Sequence, residues 1–332
     1  MNHTKKLLFL LALLFVFSFF GLALGSSGII SFSDIFSYLS ENESKNELLI
    51  QLRLPRTITA IIAGAGISIA GLLMQTLFRN DLAGPSVLGI SSGSTLGVAI
   101  GIFTMEYIGF SLGNERFTVS FLAILGALLI TFLLLLVSKY VKQSNTLLII
   151  GLMVGYFVSS VVNVFSFYAD KTNLQSFVYW GLGSFDKEIN FLILSYYYYV
   201  IIGVIIVVFF LVKPLNLLLI GEKYAVSLGL KVKQTRILII SLTGILVGTI
   251  TALCGPIAFL GIAIPHLSRN LLKTSNHKHT IIFTIILGAI IALICDIIAR
   301  LPGIEGTLPL NAVTSFIGAP IVVWIIIKRK IA

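Results

Sequence analysis

Apolar runs of about 20 residues recur along the whole chain, separated by short stretches that hold most of its charges. Spans are expected near 7–27, 55–77, 86–104, 117–138, 146–168, 190–212, 236–253, 256–267, 280–300 and 310–327. Runs of that length suit helices that cross hydrocarbon, where an open sheet would leave its edge groups unsatisfied. The pattern therefore predicts an all-α polytopic membrane protein with about ten transmembrane helices, a single transmembrane domain over residues 1–332. The third and eighth segments are short and flanked by glycine and proline.

Composition closes off the soluble classes. Of 332 residues, 57% are hydrophobic and only 11% charged. The mean hydropathy is +1.05. A soluble domain cannot hide so much apolar surface. The first run follows Lys5 and Lys6 and exceeds the usual 7–15-residue core of a signal peptide, so a retained first helix at 7–27 is expected. No GxxxxGK[ST] phosphate loop occurs. If the protein uses ATP, another chain hydrolyses it. Cys254 and Cys295 lie in apolar segments and read as small buried hydrophobes.

The net charge of +10 changes the picture through its distribution. With both termini in the cytoplasm, sixteen of the 23 lysines and arginines fall inside and seven outside. That asymmetry matches the positive-inside rule and supports a multi-pass protein with both termini in the cytoplasm. Among the acids only Asp81 and Glu222 fall inside. The exceptions are instructive. "QLRLPRTITA", residues 51–60, places Arg53 and Arg56 at the outer edge, and Arg300 joins them at the outer end of the ninth span. They read either as snorkelling helix-end groups or as docking groups for an acidic partner. For Arg300 a local partner, Asp296, lies one turn earlier.

Small residues four apart, Ala60, Gly64 and Ser68, then Gly151, Gly155 and Ser159, then Gly244, Gly248 and Ala252, predict close helix packing. Two spans carry polar stripes at helical spacing. Tyr156, Ser159, Ser160, Asn163 and Ser166 share one face, and Asn311, Thr314, Ser315 and Gly318 share another. Such stripes must face protein or water. They read as interhelical glue or as the lining of a solute path. Asp296 is the one acid inside a predicted span and lies near its outer end, which argues against an ion-coupled secondary carrier.

The largest cytoplasmic loop, residues 213–236, reads as two short amphipathic helices broken at Gly221 and Gly229, suited to a partner's groove. "HLSRNLLKTSNHKH", residues 266–279, lacks the carboxylate or cysteine support of a metal site and reads as a solvated basic loop. The tyrosines at 196–199 fit an interfacial aromatic belt.

Four separated stretches carry a resemblance. "LRLPRTITAIIAGAGISIAGLLMQTLFRNDLAGPSVLGISSGSTLG" (52–97), "GEKYAVSLGL" (221–230), "CGPIAFLGIAIPHLSRNLL" (254–272) and "DIIARLPGIEGTLPLNAVTSFIGAPIVVWIIIK" (296–328) closely resemble the permease subunits of ABC importers for iron complexes, haem and vitamin B12. The resemblance implies the type II importer architecture, with ten spans per subunit and two permeases, as a homodimer, paired with two cytoplasmic ATPases. It implies the bacterial plasma (inner) membrane, a binding protein outside, and no catalytic residue, metal or cofactor on this chain. Arg53, Arg56 and Arg300 match family arginines that pair with glutamates of that binding protein. Glu222, Ala225, Ser227, Leu228 and Gly229 match the coupling helix that meets the ATPase. The fifth, eighth and tenth spans border the pathway, which places both polar stripes on it. His266 and Arg269 match a motif on the cytoplasmic gate side. The implied cargo is an iron(III)–siderophore complex, with haem or cobalamin as the alternative. Thr307-Leu308 before Pro309 and Asn311 after Leu310 depart from the family's usual glutamate and glycine, next to the substrate route.

Overall fold

The computed structural model describes residues 3–26, 28–41, 47–108, 115–141, 143–186, 191–301 and 306–331. Lys45, Lys142 and Lys187, three of the 23 basic residues, lie outside them. In chain order the elements are α1 (His3–Ala23), the short strands β1 (Leu24–Gly25) and β2 (Gly28–Ile29), α2 (Phe32–Glu41) and α3 (Glu47–Phe78). A 3-10 turn (Pro85–Leu88) precedes α4 (Ile90–Ile108), α5 (Glu115–Ser138), α6 (Ser144–Tyr168) and α7 (Lys171–Leu182). Then come α8 (Phe191–Phe210), α9 (Val212–Ile220), α10 (Glu222–Ser227) and α11 (Val232–Cys254). The chain closes with α12 (Leu260–Leu272), α13 (His277–Ala299) and α14 (Leu310–Ile331). β1 and β2 pair antiparallel as a minimal hairpin after α1.

Each of the ten expected spans coincides with a helix. Among the described residues seven helices are long and apolar enough to cross a membrane, and Ile90–Thr104 and Leu310–Trp324 are shorter apolar segments. The eighth span is the exception in form. It is the 13-residue α12, entered through irregular backbone and Phe259 at φ 62°. The second span starts earlier than expected, because α3 runs straight through Pro55. Hydroxyls gather there: Thr59 Oγ1 and Tyr198 Oη both donate to Pro55 O, at 2.8 and 3.2 Å. Tyr198 and Tyr197 are therefore buried inside the bundle, whereas only Tyr196 and Tyr199 face outward as a belt would.

α3 is the central, mostly buried helix, with α1, α8, α11, α12 and α13 packed around it. Lipid tails are as apolar as leucine, so close backbone contact drives this association. The small-residue rows supply it. Gly64 faces Gly288 and Ala292 of α13, Gly71 faces the Gly261 backbone of α12, and Gly244 and Gly248 face Thr131 and Ala127 of α5. A Cβ at Gly71 would run into the Gly261 carbonyl. α6 is different: it leans on α4 and the 3-10 turn, and most of its surface is uncovered.

Candidate functional site: two ends and an uncovered stripe

At one end of the bundle the arginines of α3 turn inward. Arg53, Arg56 and Arg300 are only 5%, 8% and 3% exposed, so in this chain their guanidiniums lie inside the protein. The reason is the unpaired end of α1. The last carbonyls of a helix have no partner of their own, and hydrocarbon supplies none. Arg300 donates to Gly21 O at 2.6 Å. Arg53 donates to Leu22 O at 3.1 Å, Ala23 O at 2.8 Å and Gly28 O at 2.9 Å. Two cations thus cap the negative end of α1.

Arg56 and Arg300 share a carboxylate. Arg56 Nε lies 2.8 Å from Asp296 Oδ1, and an Arg300 terminal nitrogen lies 2.7 Å from Asp296 Oδ2. Asp296 is fully buried. Arg56 also reaches Asp186 at 3.3 Å, and that side chain is 48% exposed. Asp186 is the water-facing member of the cluster. The Asp296–Arg300 spacing was legible in sequence. Nothing local pointed to Asp186, which no span contains.

At the opposite end the elbow forms as expected, with α9 and α10 separated by Gly221. Tyr224, Val226, Ser227, Leu228 and Gly229 are exposed, while Ala225 is buried and Glu222 is turned into the protein. Glu222 accepts from Arg236 at 2.9 Å and from Ser144 Oγ at 2.5 Å. Asn216 of α9 bonds the His277 backbone N–H and ring, each at 2.9 Å, and the other ring nitrogen meets Thr76 Oγ1 at 2.9 Å. His277 is therefore a buried structural residue, contrary to the solvated loop expected there. Arg269 of α12 binds Gln75 and, at 3.1 Å, Asp81. Gln75 in turn donates to Ile262 O at 2.9 Å. His266 lies one turn before Arg269, partly buried. Polar residues that a hydropathy pattern passes over, Gln75, Thr76 and Asn216, hold this end together.

The stripes divide. On α6, Tyr156, Ser159, Ser160 and Asn163 are exposed and Ser166 partly so. Ser160 and Ser166 return their hydroxyls to Tyr156 O and Val162 O at 3.0 and 2.9 Å, which satisfies them within the helix. Phe157, Phe167 and Tyr168 stand beside them, exposed. On α14, Thr314 is buried and Asn311 and Ser315 are partly buried, with both hydroxyls bonded to Asn311 O. Phe316, 83% exposed, dominates the outward face of that helix instead. Gly318 packs against Phe259. No group of three or more potential metal ligands occurs among the described residues.

The family model of the FecCD transport family matches residues 10–328. The chain belongs to the FecCD transport family. A candidate ABC transporter permease of Methanocaldococcus jannaschii is 35% identical to this FecCD chain, covering 98% of it and 96% of the relative. The vitamin B12 import system permease BtuC of Citrobacter koseri is 33% identical over 86% of the chain and 85% of the relative. A solved inward-facing ABC transporter, assigned to the metal-chelate type, superposes with a TM-score of 0.84 at 30% identity, covering 98% of this chain and 100% of that one. This FecCD protein is thus a multi-pass ABC importer permease, a transport subunit, and its helices have the type II importer arrangement.

Proposed function

We propose that this permease passes a metal chelate, foremost an iron(III)–siderophore complex, from an external binding protein to the cytoplasm by alternating access, driven by a separate ATPase. The observation that carries the reading is the uncovered polar stripe of α6. Tyr156, at 65% exposure, together with Ser159, Ser160 and Asn163 stands open on a helix otherwise fit to cross hydrocarbon. A polar face there must meet protein or water. A second permease subunit set against it, as a homodimer, supplies both and encloses a pathway between the copies. The stripe offers hydroxyls, an amide and aromatic faces without charge, which suits the polar rim of a bulky chelate.

The exposed Tyr224, Val226 and Leu228 offer the ATPase an apolar helix edge, the helix-in-groove mode. With both termini in the cytoplasm and the chain in the plasma (inner) membrane, this end is cytoplasmic and the arginine end is external. Docking of an acidic binding protein would then begin at Asp186, where an incoming carboxylate can exchange for the exposed partner of Arg56. Arg53 and Arg300 support that surface from behind. His266 and Arg269 stand on the gate side of the same pathway.

A second reading keeps the mechanism and changes the cargo to cobalamin or haem. The relatives named for vitamin B12 import favour it. The deciding experiment reconstitutes the permease in proteoliposomes with its binding protein and ATPase and compares ATP-dependent uptake of radioiron–siderophore, cobalamin and haem. Uptake of the siderophore complex alone is expected. Uptake without ATP, driven by an ion gradient, would replace the importer reading altogether.

A further inference from the structure

Two contacts that the transport role does not itself require meet α6, and a third fixes the elbow beside it. The first is at its start. Ser144, the first residue of the helix, donates to Glu222 at 2.5 Å, and the same carboxylate oxygen accepts from Arg236 at 2.9 Å. Arg236 also donates to Val141 O at 2.8 Å, so the turn leading into α6 is gripped from both sides. The Glu222 charge faces the positive end of the α6 dipole.

The second contact lies further along the helix. Gly151 and Gly155 press on Leu88 and Gly89, so closely that a Cβ on Gly89 would come within 2.9 Å of the Gly155 Cα. Gly89 has φ +73°, a conformation that glycine adopts without cost. Beyond this crossing stand Ser159, Ser160, Asn163 and Ser166. The third observation is the opposite anchorage of the elbow. Through Asn216, His277 and Thr76, α9 is fixed to α13 and α3, the buried centre of the bundle. Between the two anchorages lies Gly221 at φ +121°.

We propose that α6 is a lever. Glu222 holds its Ser144 end, the Gly89–Gly155 crossing is the fulcrum, and the polar stripe rides on the far arm. α10 turns about Gly221 while α9 stays with the core. At ~1.5 Å per residue the near arm, Ser144 to Gly155, and the far arm, Gly155 to Ser166, are each about 16 Å. A displacement at Ser144 is therefore passed on at about its own size, reversed in direction, at Ser166. The lever rests on the reading of α10 as the ATPase contact, and it assigns to Ser144 a positioning role that no pathway or docking argument gives it.

The test uses the whole reconstituted importer with the parent chain, Ser144→Ala and Ser144→Thr. In the alanine variant, ATP hydrolysis stimulated by the binding protein should persist while uptake per ATP falls roughly tenfold, the scale of one hydrogen bond to a charged group. Threonine, which keeps the hydroxyl, should restore uptake. Hydrolysis and uptake falling together, or neither changing, overturns the lever. A second readout needs no transport. Spin labels at Val164→Cys and Leu301→Cys, with Cys254 and Cys295 replaced by alanine, should show an ATP-dependent distance change that Ser144→Ala abolishes. A change that persists in the alanine variant also overturns it. A parent complex that moves no chelate with ATP removes the importer reading, and the lever with it.

Discussion

Arg56 and Asp296 meet at 2.8 Å although 240 positions separate them in the chain. Their pairing ties α3 to α13, and Arg300 extends the tie to the end of α1. The buried carboxylate pairs with both guanidiniums, and the half-exposed Asp186 supplies the second negative charge. A buried ion pair contributes little net stability, but losing one partner leaves an uncompensated charge.

Asp296→Asn should accordingly destabilise the protein by roughly 3–5 kcal/mol. A thermal unfolding midpoint in detergent, lowered by several degrees against the parent, is the expected result. An unchanged midpoint would mean that the cluster does not form.

Docking can be probed without breaking that buried pair. Asp186→Asn removes the exposed competitor for Arg56, so capture of an acidic binding protein should strengthen up to about fivefold at low salt. The gain should vanish at high salt, where surface charges are screened. Binding isotherms at two ionic strengths decide the matter, and equal affinities throughout would remove this cluster from the docking surface.

Asn163→Leu exchanges an exposed amide for an apolar group on an exposed face. Stability should change by less than about 0.5 kcal/mol, while ATP-driven uptake falls several-fold. Undiminished uptake would reduce the α6 stripe to a packing surface.

Two glycine substitutions test the packing. Gly71→Ala drives a methyl group into the Gly261 backbone and should cost about 1–3 kcal/mol as α3 and α12 separate. Gly203→Ala, which meets nothing within 4 Å, should be neutral or slightly stabilising. Unfolding midpoints measured side by side distinguish contact from helix propensity.

Hydropathy marked out the ten spans because each needs about 20 apolar residues to cross hydrocarbon, a requirement local in the chain. It misjudged α12, where a short irregular segment replaces part of a helix. The elbow was equally legible, since Gly221 and Gly229 bracket an amphipathic segment. The polar stripes appeared through spacing alone, but spacing could not tell the exposed Asn163 from the buried Thr314. Helical periodicity states which residues share a face and leaves open what that face meets.

The charged residues show the same division. Their positions along the chain placed Arg53, Arg56 and Arg300 together at one end of the bundle, because charge is excluded from the spans between. Where the guanidiniums point was decided in three dimensions. The free carbonyls of α1 and the carboxylate of Asp296 arrive from distant parts of the chain, and in a medium without water each must find its donors within the protein. Ser144 joined to Glu222, and His277 to Asn216 and Thr76, are likewise products of folding. The amino-acid order thus determined which segments cross and which end each charge occupies, through the local cost of transfer to hydrocarbon. Only the tertiary structure decided the partners, because partnership depends on which distant groups packing brings within reach.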